Sequence, residues 1–195
     1  MKKIIIFLML SVSFLNAQMV FDLQAQYFSN AYGQNSKASL YALENLNVTT
    51  VNLYQATDGR YVTNNASSGT FSVRLTNTVS NFNVSIKAKY KSTYNSRTPS
   101  IVLKSDLGEE FVISYDKNEI IIQNKIFRVI GLHDKVLHVN IQKKDDLFVT
   151  SINGQVFSKV KLETFVNLKK VEQTINNVGG VSSEDSLYDL TIYAK

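Results

Sequence analysis

An all-β fold, two antiparallel sheets packed face to face as a sandwich, is predicted by three features of this 195-residue sequence. The first is strict alternation. Phe82, Val84, Ile86, Ala88 and Tyr90 alternate with Asn83, Ser85, Lys87, Lys89 and Lys91, the period of two that sets one face of a strand on a core and the other in water. The second is a pair of successive hairpins between Lys135 and Glu163. Leu137, Val139 and Ile141 alternate with His138, Asn140 and Gln142, Lys143 to Asp146 forms a polar break, and Asn153-Gly154 supplies a dipeptide that tolerates the positive φ of a type I′ turn. The third is the spacing of the whole chain: ten or more short β-rich segments separated by turns every 8 to 12 residues or so.

Each segment can be justified in order. Gln18 to Tyr27 alternates and reads as an opening strand, and Ser29 to Ser39 is rich in Asn, Ser and Gly and reads as loop. Ala38 to Leu46 is open between a helical turn and a strand, because Leu40, Leu43 and Leu46 have helical spacing. Val48 to Tyr54 is β-rich, Tyr61 to Thr63 is a short extended piece, and Thr70 to Leu75 puts Phe71, Val73 and Leu75 on one face. The three lysines on the polar face of the Phe82 segment are also a means by which an edge or outer strand discourages pairing. Ser100 to Lys104, Glu110 to Tyr115, Glu119 to Gln123 and Lys125 to Leu132 follow as strands or extended chain. Phe165, Leu168, Val171 and Ile175 fit a helical stripe, although β-branched neighbours weaken it, and Ser186 to Ala194 closes as a strand with Tyr188, Leu190, Ile192 and Ala194 on one face.

Residues 1–17 read as a signal peptide ahead of a single β-sandwich domain over residues 18–195. Lys2-Lys3 is a basic start, Ile4 to Leu10 with Val12, Phe14 and Leu15 is apolar, and Ala17 offers a small residue for cleavage before Gln18. The apolar run is about a dozen residues, short of the roughly 20 needed to cross a bilayer, so the mature chain is expected to lack a membrane span. The expected location is outside the cytoplasm, periplasmic or extracellular. There is no Cys, which rules out a lipid-modified cysteine, disulfides and thiolate chemistry together. Loss of Lys2 and Lys3 lowers the net charge from +5 to +3, too mild an excess to point to nucleic acid.

From Phe71 onward the order of elements resembles the concanavalin A-like lectin/glucanase superfamily of jelly-roll sandwiches, which includes laminin G-like modules. The residues that carry the resemblance are Phe82-Asn83-Val84-Ser85-Ile86-Lys87-Ala88, Gly108 to Ile113, and Val149 to Gly154 with its Asn-Gly turn. A late closing strand, Leu187 to Tyr193, completes it. The resemblance implies a jelly-roll architecture. It does not carry an activity here, because the Glu-x-Asp-x-x-Glu run of the glucanase members has no counterpart. Glu109-Glu110, Asp145-Asp146 and Glu184-Asp185 are adjacent pairs, which in a strand point to opposite faces. Trp, the usual sugar-stacking ring, is absent, and tyrosine is the substitute available.

The candidate site residues are therefore those of a binding protein. Glycoside hydrolysis needs two carboxylates about 5 to 10 Å apart, and no pair is singled out by spacing. His133 and His138 are too few for a zinc site, and no Gly-x-Ser-x-Gly turn marks a nucleophile. No cofactor is indicated; calcium could draw oxygen ligands from Ser183-Glu184-Asp185 or Asp58, in no recognised loop pattern. The loop from Lys91 to Pro99 carries Tyr94, Asn95 and Arg97, a ring, an amide and a guanidinium of the kind used to grip glycans and proteins; Tyr32 and Tyr54 are similar candidates. The expected function is that of an exported, non-enzymatic sandwich binding a glycan or protein ligand at the bacterial cell envelope. The alternatives are an adhesin-type structural subunit working through its strand edges, and a hydrolase or lyase with an unrecognised site.

Overall fold

The computed structural model of the chain describes residues 18–23, 46–56, 60–63, 68–90, 99–116, 118–129, 134–176 and 185–195. These form fifteen strands in two antiparallel sheets and no helix. One sheet has eight strands. Its main path runs β13 (Gln155–Lys161), β12 (Leu147–Ile152), β11 (Val136–Lys144), β6 (Phe82–Lys89), β15 (Ser186–Ala194), β4 (Tyr61–Thr63) and β3 (Leu53–Gln55), with β1 (Gln18–Leu23) also paired to β15. The other has seven, in the order β10 (Lys125–Arg128), β9 (Glu119–Ile122), β8 (Glu110–Asp116), β7 (Ser100–Ser105), β14 (Leu168–Asn176), β5 (Ser68–Val79) and β2 (Leu46–Val51). The two-sheet sandwich expected from the sequence is the one observed.

Alternation builds the core. Val84, Ile86 and Ala88 of β6, Leu137, Val139 and Ile141 of β11 and Leu190 and Ile192 of β15 face Phe111 and Ile113 of β8, Ile101 and Leu103 of β7 and Val171 of β14 across the sandwich, all of them buried. Aromatic rings fill the space toward one end. Phe148 stacks on Phe111 at 4.5 Å between centroids and meets Phe165 edge-on at 5.0 Å, both favoured arrangements of the ring quadrupole.

Both hairpins of the Lys135 to Glu163 stretch are present, as β11–β12 and β12–β13. Asn153 (φ 50°) and Gly154 (φ 82°) make the second turn as a left-handed pair. The first turn is tighter than the polar break suggested. Lys143 and Lys144 belong to β11 and pair with Phe148 and Leu147, leaving Asp145-Asp146 as the two-residue loop.

Other expectations are corrected. Residues 168–176 form β14, a strand between β5 and β7, and not a helix. The 3–4 spacing of Leu168, Val171 and Ile175 is shared with a strand whose register slips between Leu168 and Lys170. Strand β6 is not at an edge, since β11 and β15 flank it, so Lys87 and Lys89 do not guard a free backbone. Tyr188 leaves the face it was expected to share with Leu190 and Ile192. The β15–β6 register shifts between Leu187 and Asp189, and the bulge turns the tyrosine out of the core. The open segment Ala38 to Leu46 ends in β2 at Leu46, with its remainder outside the described residues.

Candidate functional site

The strand pairing that buries the apolar rows sets the polar rows of β12, β11, β6 and β15 side by side on the outward face of the eight-stranded sheet. One lane runs Gln142, Asn83, Tyr193, directly opposite one another on β11, β6 and β15. The next runs Ser151, Asn140, Ser85, Thr191 across β12, β11, β6 and β15. Within a lane, neighbours are about 4.8 Å apart, and the lanes are about 6.8 Å apart along the strands. All seven side chains are half-buried and uncharged. Each hydroxyl or amide can both donate and accept, and the Oδ1 of Asn83, in the middle of its lane, has no hydrogen-bond partner. A screened acceptor of this kind is a group that calls for a partner.

A charged row follows beyond the second lane. His138 of β11 is opposite Lys87 of β6, which is opposite Asp189 of β15. The His138 backbone N–H is capped by Asn153 Oδ1 at 2.9 Å, and its carbonyl accepts from the Asn153 N–H at 2.8 Å, so the Asn-Gly turn also fixes this end of β11. The Lys87 Nζ stands 5.9 Å from the Tyr188 ring centroid. Lys89 pairs with Asp134 at 2.8 Å.

Strand β6 then ends at a buried polar base. Tyr90 stacks on Tyr115 with centroids 4.2 Å apart and planes within 14°. Its hydroxyl donates to Gln173 Oε1 at 3.3 Å, and Gln173 Nε2 donates to the Thr174 carbonyl at 2.9 Å. Burial, with the Asp185 carboxylate nearby, pushes the Tyr90 phenol far above its ordinary range, and burial likewise raises Tyr115. Tyr61, against Phe71, is pushed up by burial to about 12. These phenols stay protonated at any physiological pH; Tyr90 acts as a donor, and all three rings act as packing surfaces.

The residues nominated from sequence distribute unevenly. Tyr94, Asn95 and Arg97 lie outside the described residues, as do Tyr32, Asp58, His133, Ser183 and Glu184; the first three fall in the sequence between β6 of the eight-stranded sheet and β7 of the seven-stranded sheet. Asp185 is fully buried, and its Oδ2 accepts from the Asn176 N–H at 2.8 Å while its own N–H donates to the Asn176 carbonyl at 3.0 Å. One oxygen of that carboxylate thus ties β14 to β15. His138 faces outward, as its alternation implied. Among the described residues no three His, Asp or Glu converge.

On the outward face of the other sheet, carboxylates and lysines are matched. Lys104 of β7 reaches Glu110 of β8 and Glu172 of β14, each at 3.0 Å, and Lys170 also pairs with Glu172. Burial alone would raise the Glu172 carboxyl, but the bonds from Lys170 and Lys104 outweigh it and hold the carboxyl below its ordinary value. The Lys104 ammonium is raised, chiefly by its bonds to Glu110 and Glu172.

The uncharged lanes were only half legible in sequence. The polar rows of β6 and β11 stand out one strand at a time, but nothing local says that these two strands are neighbours or that Thr191 and Tyr193 extend the rows.

No family model and no curated protein matches the chain. Its fold is shared with solved structures. A Bacillus licheniformis β-glucanase matches with TM-score 0.61 at 11% identity, over 92% of this chain and 99% of that one. A botulinum neurotoxin type G receptor-binding domain matches with TM-score 0.58 at 13% identity, over 91% of this chain. The match takes in 48% of the toxin chain, so this protein spans about half of it. A tetrameric galectin from the sponge Cinachyrella matches with TM-score 0.52 at 15% identity, over 64% of this chain and 99% of that one. The architecture is thus the concanavalin A-like lectin/glucanase sandwich, as the sequence motifs suggested.

Proposed function

We propose that this protein is an exported, non-catalytic β-sandwich that binds a glycan on the outward face of its eight-stranded sheet, at the bacterial cell envelope. The observation that carries the reading is the pair of uncharged lanes, Gln142–Asn83–Tyr193 and Ser151–Asn140–Ser85–Thr191. Sugar hydroxyls are uncharged groups that donate and accept, and they are best met by side chains that do the same. Tyr193 supplies a ring with a polar tip, the combination suited to one face of a pyranose. Neighbours on this fold include a glucanase, a toxin receptor-binding domain and a galectin, which supports a carbohydrate-binding architecture; at such low identity it lends no activity.

Tyr94, Asn95 and Arg97 belong to the same proposal as a rim. Tyr94 follows Tyr90, the residue directly after β6, by four positions in the sequence, a chain length that spans at most about 14 Å. The basic and apolar segment before Gln18 supports export. The non-catalytic reading draws support from Glu110 and Glu172, which are held in ion pairs with Lys104. A second reading, a protein partner bound along one side of the sandwich, is favoured by Ile126 (61% exposed) and Val156 (52% exposed), on β10 and β13, which end their sheets among the described residues.

Glycan-array binding, run beside assays for released reducing ends and unsaturated products, tests the function. Binding without product is expected, weakened about tenfold or more by Asn140→Ala with Tyr193→Ala. Product formation would replace the proposal with an enzyme. Absence of binding across the array would favour the protein-partner reading.

A further inference from the structure

The row beyond the neutral lanes differs from them in that it is charged, and its cation, Lys87, makes no ion pair among the described residues. Lys87 is exposed on β6, between His138 of β11 and Asp189 of β15. Its ammonium is placed against the Tyr188 ring, 5.9 Å from the centroid, within the range of a cation–π contact. Tyr188 is there because of the bulge in β15, and bulges commonly serve to re-aim a side chain. No surrounding carboxylate closes on Lys87 among the described residues. Asp134 is paired with Lys89, and Asp189 has an interaction of its own. An aromatic quadrupole steadies an ammonium without cancelling its charge, so the charge remains available to an outside partner.

We propose that Lys87, steadied by Tyr188 and flanked by His138, is an acid-binding subsite, which makes this face prefer glycans that carry an anionic group, a carboxylate or a sulfate ester, over neutral chains. The inference rests on the glycan-binding reading above and narrows its ligand class. Lys87 stands one alternate step from Ser85, about 6.8 Å along β6, which is the offset of a ring substituent when the ring's hydroxyls lie along the Ser151–Thr191 lane. Lysine suits the task as a compact point charge with three donors. Among the described residues, other charged groups near the row include Lys89 on the same strand, with its Asp134 partner, Asp189 on β15, and Arg60, whose guanidinium donates to Ser186 Oγ at the start of β15.

The test compares matched ligands by calorimetric titration of the purified protein. Galacturonan and glucuronan oligosaccharides are each paired with their carboxyl-reduced forms, and a sulfated galactan oligosaccharide with its desulfated form. The acidic member of at least one pair is expected to bind about tenfold more tightly, with a preference that shrinks as salt is raised; which pair responds tells carboxylate from sulfate. Lys87→Gln should bring acidic and neutral ligands level while leaving the neutral affinity in place, and Lys87→Arg should retain the preference. Equal affinity of the wild-type protein for both members of every pair would overturn the subsite and leave the glycan-binding face intact. Failure to bind any member of any pair would overturn both together. Thermal melts of the two variants, whose changes sit on an exposed side chain, confirm that the fold is kept.

Discussion

At Lys143 a charged side chain continues the inward row of β11, directly opposite Phe82 on one side and Phe148 on the other. It is 3% exposed, and its ammonium donates to the Ser80 carbonyl at 2.9 Å. Desolvation lowers its affinity for a proton, more than Asp145 and Asp146 restore it. A lysine with a depressed folded pKa costs stability at all pH below that value, and the cost is relieved as pH rises toward the unfolded 10.5. Lys143→Met is therefore expected to be neutral or stabilising by about 1 kcal/mol in urea unfolding at pH 7; a loss above about 2 kcal/mol would show that the ammonium–carbonyl bond outweighs desolvation. Glu172 works in the opposite sense. Its folded pKa is depressed, so its contribution is full above the unfolded value of 4.5 and is lost as pH falls through the folded value. Glu172→Gln should lower stability at pH 7 by roughly 0.5 to 1 kcal/mol, since the pairs are partly solvated. That difference should vanish in acid; its persistence at pH 2 would place the effect in packing and not in charge.

At the scale of the element, strands with unbroken alternation and hairpins with a turn signal were readable from residues alone. The Phe82 strand, the two hairpins and the Asn153-Gly154 turn follow from alternation and turn chemistry. Gly154→Ala should cost about 1 to 2 kcal/mol, because the turn holds φ at 82°, with no steric contribution since a methyl there meets nothing within 4 Å. Gly69 is the contrasting case, invisible in sequence. A Cβ on it would collide with the Leu53 side chain and lie 2.9 Å from the Asn52 carbonyl oxygen, because β5 passes close to the start of β3. Gly69→Ala is expected to cost about 1 to 3 kcal/mol by crowding, read as a shifted unfolding midpoint; an unchanged midpoint would mean that the Asn52–Leu53 turn yields freely. One element was left open and one face was misread for the same reason. The register slips at Leu168/Lys170 and Leu187/Asp189 break the period of two, so a strand mimicked a helical stripe in one case and Tyr188 was assigned to the wrong face in the other.

At the scale of the whole molecule, the sandwich class was legible because two sheets need two apolar faces, and alternating rows supply them. The order of strands was not, because β15 at the end of the chain pairs with β6, β4 and β1, contacts that no local pattern encodes. The proposed site depends on that order, since Asn83 and Ser85 meet Tyr193 and Thr191 only through the β6–β15 pairing. Tyr94, Asn95 and Arg97 were nominated on side-chain chemistry and lie outside the described residues. The most direct test is amide chemical-shift mapping of the labelled protein, titrated with an oligosaccharide identified on the array. Shifts concentrated on β11, β6 and β15, at Asn83, Ser85, Asn140, Gln142, Thr191 and Tyr193, are the predicted result. Shifts confined to β10 and β13, or to the outward face of the seven-stranded sheet, would contradict the assignment of the glycan to this face.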